Sequence, residues 1–368
     1  MRVFPVPDSM TASPGTQLSF RGPGLATVQP IEVIGSESGV HPGVEVAHSD
    51  GNGMSWIPDF GFRPGEAVTV STRLDIAGTR KGDFSFIVST PRPLAAHPRR
   101  NKKPEEKQVH HFRSRPGLAP QVFDVTQHGE SLAPGYLFDA PKEGAGRNGA
   151  LIMDNSGEPV WFFPVEAPVD QILDFRVQEL DGEPVLTWWQ GVVVRGHGFG
   201  HWVIRDGSYE EIANIRIGNG YAGGDLHELV LTEERTALVG TYSTIAWDLT
   251  SIGGKKDDSI IDCIVQEIDI ATGAVMFEWH SLDHVALDET YDKTDEGDEE
   301  DALDHFHFNA ITLDSDGNLV ISARNTWAAY TIDRETGDVI WRLNGKASDF
   351  VVGDGADMAY QHDVRHWP

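Results

Sequence analysis

At 368 residues the chain can bury a sizeable core without staples, and its 39 glycines, 21 prolines and 10 tryptophans favour turns and short strands over long helices. A formal net charge of −28 excludes nucleic acid and anionic lipid as partners, because both need a positive footprint. A single cysteine, Cys263, excludes an intramolecular disulfide, a thiolate zinc site and a redox pair, and no run nears the roughly 18 apolar residues of a membrane helix.

Residues 1–90 alternate in short segments broken by Pro and Gly, such as "TQLSFRG", "GVEVAHSDG", "EAVTVSTRLDIAG" and "DFSFIVSTP". They predict a small β-sandwich-like domain. The opening "MRVFPVPDSMTASPGTQLSF" lacks the charged-then-apolar order of a secretion signal, so the chain reads as cytoplasmic or as written without its signal. Residues 91–116 hold 8 of the 29 basic residues and 2 of the 57 acidic ones, the composition of an exposed basic linker.

From residue 117 to 368 an Asp, a turn containing Gly and a strand recur: "MDNSGEPVWFF", "EIDIATGAVMFEW", "LDSDGNLVIS" and "TIDRETGDVIWRL". Each predicts a hairpin, and one hairpin unit repeated at irregular spacing predicts an all-β chain of the β-propeller kind. The segment 288–304, with ten carboxylates in seventeen residues, lacks the order of a calcium loop and reads as a solvated insertion. Cys263 reads as a small buried hydrophobe.

Two glycine-rich runs, "GNGYAG" and "GHGFGH", open no helix that could hold a pyrophosphate. No phosphate-binding loop, zinc-protease helix or serine-hydrolase elbow occurs. What remains are histidines at strand ends: His227 in "GGDLHELVLT", His305 and His307 in "LDHFHFNAITLD", and His362 in "YQHDVRHWP". Asn309 and Arg324 join them if successive blades converge on one axis. Imidazoles, an amide and a guanidinium form a poor metal site and a good oxyanion site, so no metal and no cofactor are expected.

The blocks "DLHEL", "HFHFNAI", "ISARNT", "TIDRETGDVIWRLNGKASDF" and "QHD", in this order over most of 116–368, resemble the bacterial aryl sulfotransferases that take sulfuryl groups from phenyl sulfate esters without a nucleotide donor. The resemblance implies a six-bladed β-propeller after a small N-terminal β domain. Family members usually continue past the block that ends this chain, so the last blade reads as cut short, with an open edge that invites a homodimer. It also implies roles: His362 as the nucleophile that carries the sulfuryl group, His227, His307 and Arg324 as its catalytic partners, and Asn309, Arg324 and His227 as substrate contacts. His305 rivals His307 for the His-x-Asn role, but only His307 has Asn two positions on. His366, beside the chain end, reads as a surface residue. The implied partners are an aryl sulfate donor and a phenolic acceptor, and the implied location is secreted or periplasmic. The alternative reading is a non-catalytic propeller that binds a ligand or partner. A quinone-dependent dehydrogenase would share the turns, but it would need calcium-binding carboxylates and usually vicinal cysteines.

Overall fold

The computed structural model describes residues 1–93, 109–127, 129, 131–142, 145–165, 171–293 and 302–366. Within them the chain is all-β, with single turns of helix at Thr250–Ile252, Ser281–His284 and Leu287–Glu289. It divides into two units, one of Met1–Ala95, Ile217–Gly224 and Val230–Pro368, the other of Ala96–Arg216 and Asp225–Leu229. Most of the predicted basic linker lies outside the described residues.

The first unit opens with two four-stranded antiparallel sheets. One runs Arg2–Phe4, Leu18–Arg21, Gly53–Pro58, Gly43–Ala47 in spatial order, the other Gly39–Val40, Glu32–Gly35, Ala67–Ser71, Asp83–Ile87. Period-two alternation points Val68, Val70, Phe84 and Phe86 of the second sheet inward, against Leu18, Phe20, Met54 and Trp56 of the first.

Two later sheets of this unit are meanders in chain order. The first consists of Leu229–Leu231, Thr236–Trp247, Asp258–Asp269 and Val275–His280, the second of Phe308–Leu313, Leu319–Ala323, Ala328–Ile332 and Val339–Leu343. Their shared core holds Leu238, Val265, Trp279, Phe306, Phe308, Ile321 and Tyr330. The packing is close enough that a Cβ on Gly240 would lie 2.1 Å from the Phe308 ring. The second unit carries a three-stranded sheet, Pro159–Pro164, Gly149–Met153, Leu137–Asp139, and a four-stranded meander, Gln171–Leu180, Glu183–Val194, His197–Arg205, Glu211–Ile215. Trp188, fully buried, centres its core with Ile152, Phe175 and Val203.

All four predicted hairpins are present, and one device builds their turns. The Asp314 carboxylate accepts the N–H groups of Asp316 and Asn318, both at 2.9 Å, while Gly317 takes φ +83°. Asp154 accepts from Ser156 and Glu158 at 2.8 and 3.1 Å, Asp333 from Glu335 and Thr336 at 2.7 and 2.9 Å, and Asp269 from Ala271 at 2.9 Å. These are Asx turns, in which the side chain takes the N–H groups that the turn leaves without a carbonyl. The Ser156 hydroxyl and the N–H groups of Ser156 and Glu158 hold the Asp154 carboxyl below its usual range. A further turn of this build, at Asp206, was not expected from sequence, because Tyr209 (φ 65°) fills the left-handed position that Gly marks elsewhere.

A buried polar network ties the first N-terminal sheet to the meander that follows. His280, 4% exposed, places Nδ1 2.6 Å from Asp262 and Nε2 3.1 Å from Glu278. Glu278 also accepts from Asn219 at 2.7 Å, and Asn219 Oδ1 accepts from the main chain and side chain of Gln17, each at 3.2 Å. Burial alone would favour neutral imidazole, but the two carboxylates outweigh it and raise the His280 pKa well above 6.5.

Two outcomes are expected. Because the folded pKa of His280 exceeds its unfolded value, its contribution is complete below about pH 6.5 and is lost as pH rises through the folded pKa. Urea midpoints should therefore fall on the alkaline side more steeply in the wild type than in His280→Gln; parallel profiles refute the charged triad. A Cβ on Gly317 meets nothing within 4 Å, so Gly317→Ala isolates the left-handed backbone, and urea unfolding should read a loss of about 1 kcal/mol.

Candidate functional site

Strand pairing sets the first contacts. His307 immediately precedes the strand Phe308–Leu313 and Arg324 immediately follows Leu319–Ala323, so the register Phe308↔Ala323 lets the Arg324 N–H donate to the His307 carbonyl at 2.8 Å. The register then slips between Phe308 and Ala310, which makes Asn309 a bulge residue. A bulge re-aims its side chain. Asn309, 5% exposed, donates from Nδ2 to the Gln361 carbonyl at 2.8 Å, and its Oδ1 has no hydrogen-bond partner among the described residues.

Gln361 fixes the C-terminal segment. Its Nε2 donates to the carbonyls of Ala323 and Ala328, at 2.9 and 3.0 Å, which are the last paired residues of the hairpin carrying Arg324. Tyr360 and His362 are thereby held over those strand ends, both exposed. His362 Nδ1 lies 3.0 Å from the Tyr360 carbonyl. A carbonyl only accepts, so Nδ1 carries a proton, which is the tautomer that keeps the lone pair of a neutral ring on Nε2.

His307 is oriented differently: its Nδ1 sits 2.5 Å from the Asp304 carboxylate, and its ring lies 5.7 Å from that of Tyr242. Arg324 donates from Nη1 to Asn325 Oδ1 at 2.7 Å and makes no ion pair among the described residues, unlike Arg21, Arg334 and Arg342 of the same unit. Four residues here have left-handed backbone: His307 (φ 53°), Trp327 (53°), Tyr360 (54°) and Asp363 (63°). Bulky side chains rarely adopt it, and such strain gathers at functional sites.

Four expected site residues, His307, Asn309, Arg324 and His362, thus fall around one end of one sheet. His227 belongs to the other unit. There Asp225, 1% exposed, accepts the His227 Nδ1 at 2.5 Å, the His227 N–H at 3.0 Å and the Gly198 N–H at 2.7 Å. His305 is fully buried, and burial pushes its pKa down, as for a neutral core residue. Cys263 is buried as expected, and burial raises its thiol pKa. His366 is exposed.

The acidic segment 288–304 departs from expectation at both ends, residues 294–301 lying outside the described set. Glu289 is 7% exposed and accepts from Arg342 at 3.2 Å and Tyr330 at 3.1 Å, and Asp304 orients His307. These carboxylates are built into the fold because cations and hydroxyls wait for them. Sequence reasoning also passed over Asp225, Asp304 and Gln361; the available signal for the two aspartates was their place two or three residues before His227 and His307.

Residues 176–367 match the protein-family model described as arylsulfotransferase (ASST). No curated protein matches the chain. Among solved structures, a protein of unknown function from Bacteroides caccae aligns at 13% identity over 58% of this chain and 78% of that one, with a TM-score of 0.24. A DUF4784 family protein from Bacteroides caccae ATCC 43185 aligns at 12% identity over 90% and 93%, with a TM-score of 0.22. The S-layer protein rSbsC(31-844) aligns at 10% identity over 97% and 67%, with a TM-score of 0.21.

If Gln361 is the clamp, Gln361→Ala should speed hydrogen exchange of peptides covering 357–366 at least about tenfold, with a smaller effect from Asn309→Ala. Unchanged protection in both variants would mean that other contacts hold the segment.

Proposed function

Because this chain belongs to the arylsulfotransferase family, we propose that it moves a sulfuryl group from a phenolic sulfate ester to a phenol through a sulfohistidine at His362. The observation that carries this reading is Arg324: in a chain of net charge −28, a guanidinium with no ion pair among the described residues stands beside the segment bearing His362.

In the first half-reaction the Nε2 lone pair of His362 attacks sulfur, the S–N bond forms, and the ester S–O bond breaks with its electron pair leaving on the phenolate. Nδ1 keeps its proton on the Tyr360 carbonyl and shares the positive charge of the sulfated ring. In the second, the acceptor phenol loses its proton, its oxygen attacks sulfur, and the S–N pair returns to Nε2. Arg324 offsets the charge on the sulfuryl oxygens in both steps, a donor worth on the order of 3 kcal/mol in the transition state. His307, oriented through Nδ1 by Asp304, hands a proton to the leaving phenolate from Nε2 and takes it from the incoming phenol. The resemblance gives His227 a part in the same chemistry, and its Asp225 brace supports an oriented imidazole there too. Asn309 is expected to contact substrate, and its bond to the Gln361 carbonyl supports a positioning role as well.

The same reading takes the sheets after residue 117 as blades of a β-propeller, six in the family fold, behind a β domain at 1–90 and a linker at 91–116. It places the protein outside the cytoplasm and leaves a homodimer to be tested by sedimentation. Among the described residues no helix is long and apolar enough to cross a membrane.

Donor and acceptor should give parallel double-reciprocal plots with no nucleotide requirement, and intersecting plots would refute the covalent route. With donor alone, a neutral or alkaline quench and peptide mass spectrometry should place a sulfuryl adduct on the C-terminal peptide. It should vanish on adding phenol and in His362→Ala, and persist in His366→Ala. Arg324→Ala and His227→Ala should each lower kcat/KM by about 100-fold or more. A well-folded wild type with neither adduct nor turnover would favour the ligand-binding module.

A further inference from the structure

Three aromatic rings line up beside Arg324. Tyr291 and Trp327 stack with centroids 3.7 Å apart and planes within 6°, and Tyr360 meets Trp327 at 5.3 Å and 63°. A cation closes each end: Lys346 Nζ lies 4.7 Å from the centre of Tyr291, and the Arg324 guanidinium 4.9 Å from that of Tyr360. Lys346 also donates to the carbonyls of Asp288 and Thr290, so the Tyr291 end is tied into the fold. The Tyr360 end opens to solvent, with that residue 54% exposed.

Core packing does not account for the row. The large rings that serve the core, such as Trp279 and Phe306, are at most 1% exposed, whereas Tyr291 and Trp327 are only partly covered. Trp327 and Tyr360 both hold left-handed backbone, which costs each bulky residue about 1–2 kcal/mol. The Trp327 Nε1–H, although buried, has no acceptor among the described residues. Two strained aromatic residues, one with an unmet donor, are a poor arrangement for stability and a familiar one for a binding surface.

Resting on the sulfotransfer reading, we propose that the corner formed by Trp327 and Tyr360, with Arg324 at its rim, is the subsite for the aromatic ring of the sulfate ester and then of the phenol. The geometry supports the size of the ligand. In an aryl sulfate one bridging oxygen separates ring from sulfur, so a sulfuryl group on Arg324 keeps the ring within reach of Tyr360, whose own ring centre lies 4.9 Å from the guanidinium. Tyr360 is also two residues from His362, and Gln361 clamps both to the same strand ends. Aromatic faces select a flat π-system over a saturated ring of equal size, which makes Trp327 and Tyr360 specificity-determining residues.

The test uses the full chain carrying His362→Ala, so that ligand is not consumed, with phenyl sulfate and cyclohexyl sulfate titrated by calorimetry. Phenyl sulfate should bind more tightly. Trp327→Leu and Tyr360→Leu should each weaken it roughly three- to tenfold and leave cyclohexyl sulfate unchanged, while Tyr360→Phe restores phenyl sulfate binding. Equal losses for both ligands, or none for either, in variants whose thermal melts match the parent overturn the subsite. If phenyl sulfate binds and the protein with His362 intact turns it over, that result leaves the sulfotransfer reading standing. If phenyl sulfate neither binds nor turns over, the sulfotransfer reading fails and the subsite with it.

Discussion

Tight turns present N–H groups that no carbonyl can reach, and this protein meets them with aspartate. The carboxylates of Asp154, Asp206, Asp314 and Asp333 each accept two main-chain N–H groups of the turn that follows. That capture gives the turn N–H groups a partner within the chain in place of water and holds the backbone in the turn conformation. Part of the net charge of −28 is therefore spent inside the architecture, and Asp262, Asp269, Glu278 and Glu289 continue the pattern in the interior. The N-terminal sandwich uses it as well: Glu66, although burial opposes ionisation, is held at about 2 by the Ser38 hydroxyl and the N–H groups of Arg63, Glu37 and Ser38.

The same chemistry differentiates the histidines. Burial and the neighbouring Arg21 lower the His48 pKa to about 4, so that ring is neutral, and burial does the same to His305. His280, between two carboxylates, is charged. His307 and His227 each receive one carboxylate at Nδ1, which orients the ring. His362 receives a carbonyl at Nδ1, which orients the ring without adding charge.

Position follows from the end of one hairpin. The bulge at Asn309, the Ala323–Ala328 turn and Gln361 form a single clamp, and they set His307, Arg324, Tyr360 and His362 around the same strand ends. A clamp of side-chain amides fixes a segment that has no sheet partner of its own. It also explains how left-handed backbone at Trp327 and Tyr360 persists, since the surrounding bonds over-determine it.

The local features were legible in the sequence because their causes are local. Asp and Gly at fixed offsets specify a turn, alternation specifies which face of a strand is buried, and a lone cysteine without partners goes to the core. Where a turn used a different residue, as at Tyr209, the signal vanished although the geometry did not. The blocks around His227, His307, Arg324 and His362 identified a family because order and spacing survive in a linear string. Tertiary structure alone decided what those residues touch. That Asn309 supports Gln361, that Asp304 braces His307 while His305 sinks into the core, and that Arg324 makes no ion pair among the described residues where Arg334 and Arg342 each make one depend on pairing register and on a bulge that shifts it by one residue. Register is a relation between distant strands, set by the summed burial of both faces, and no window of sequence contains it.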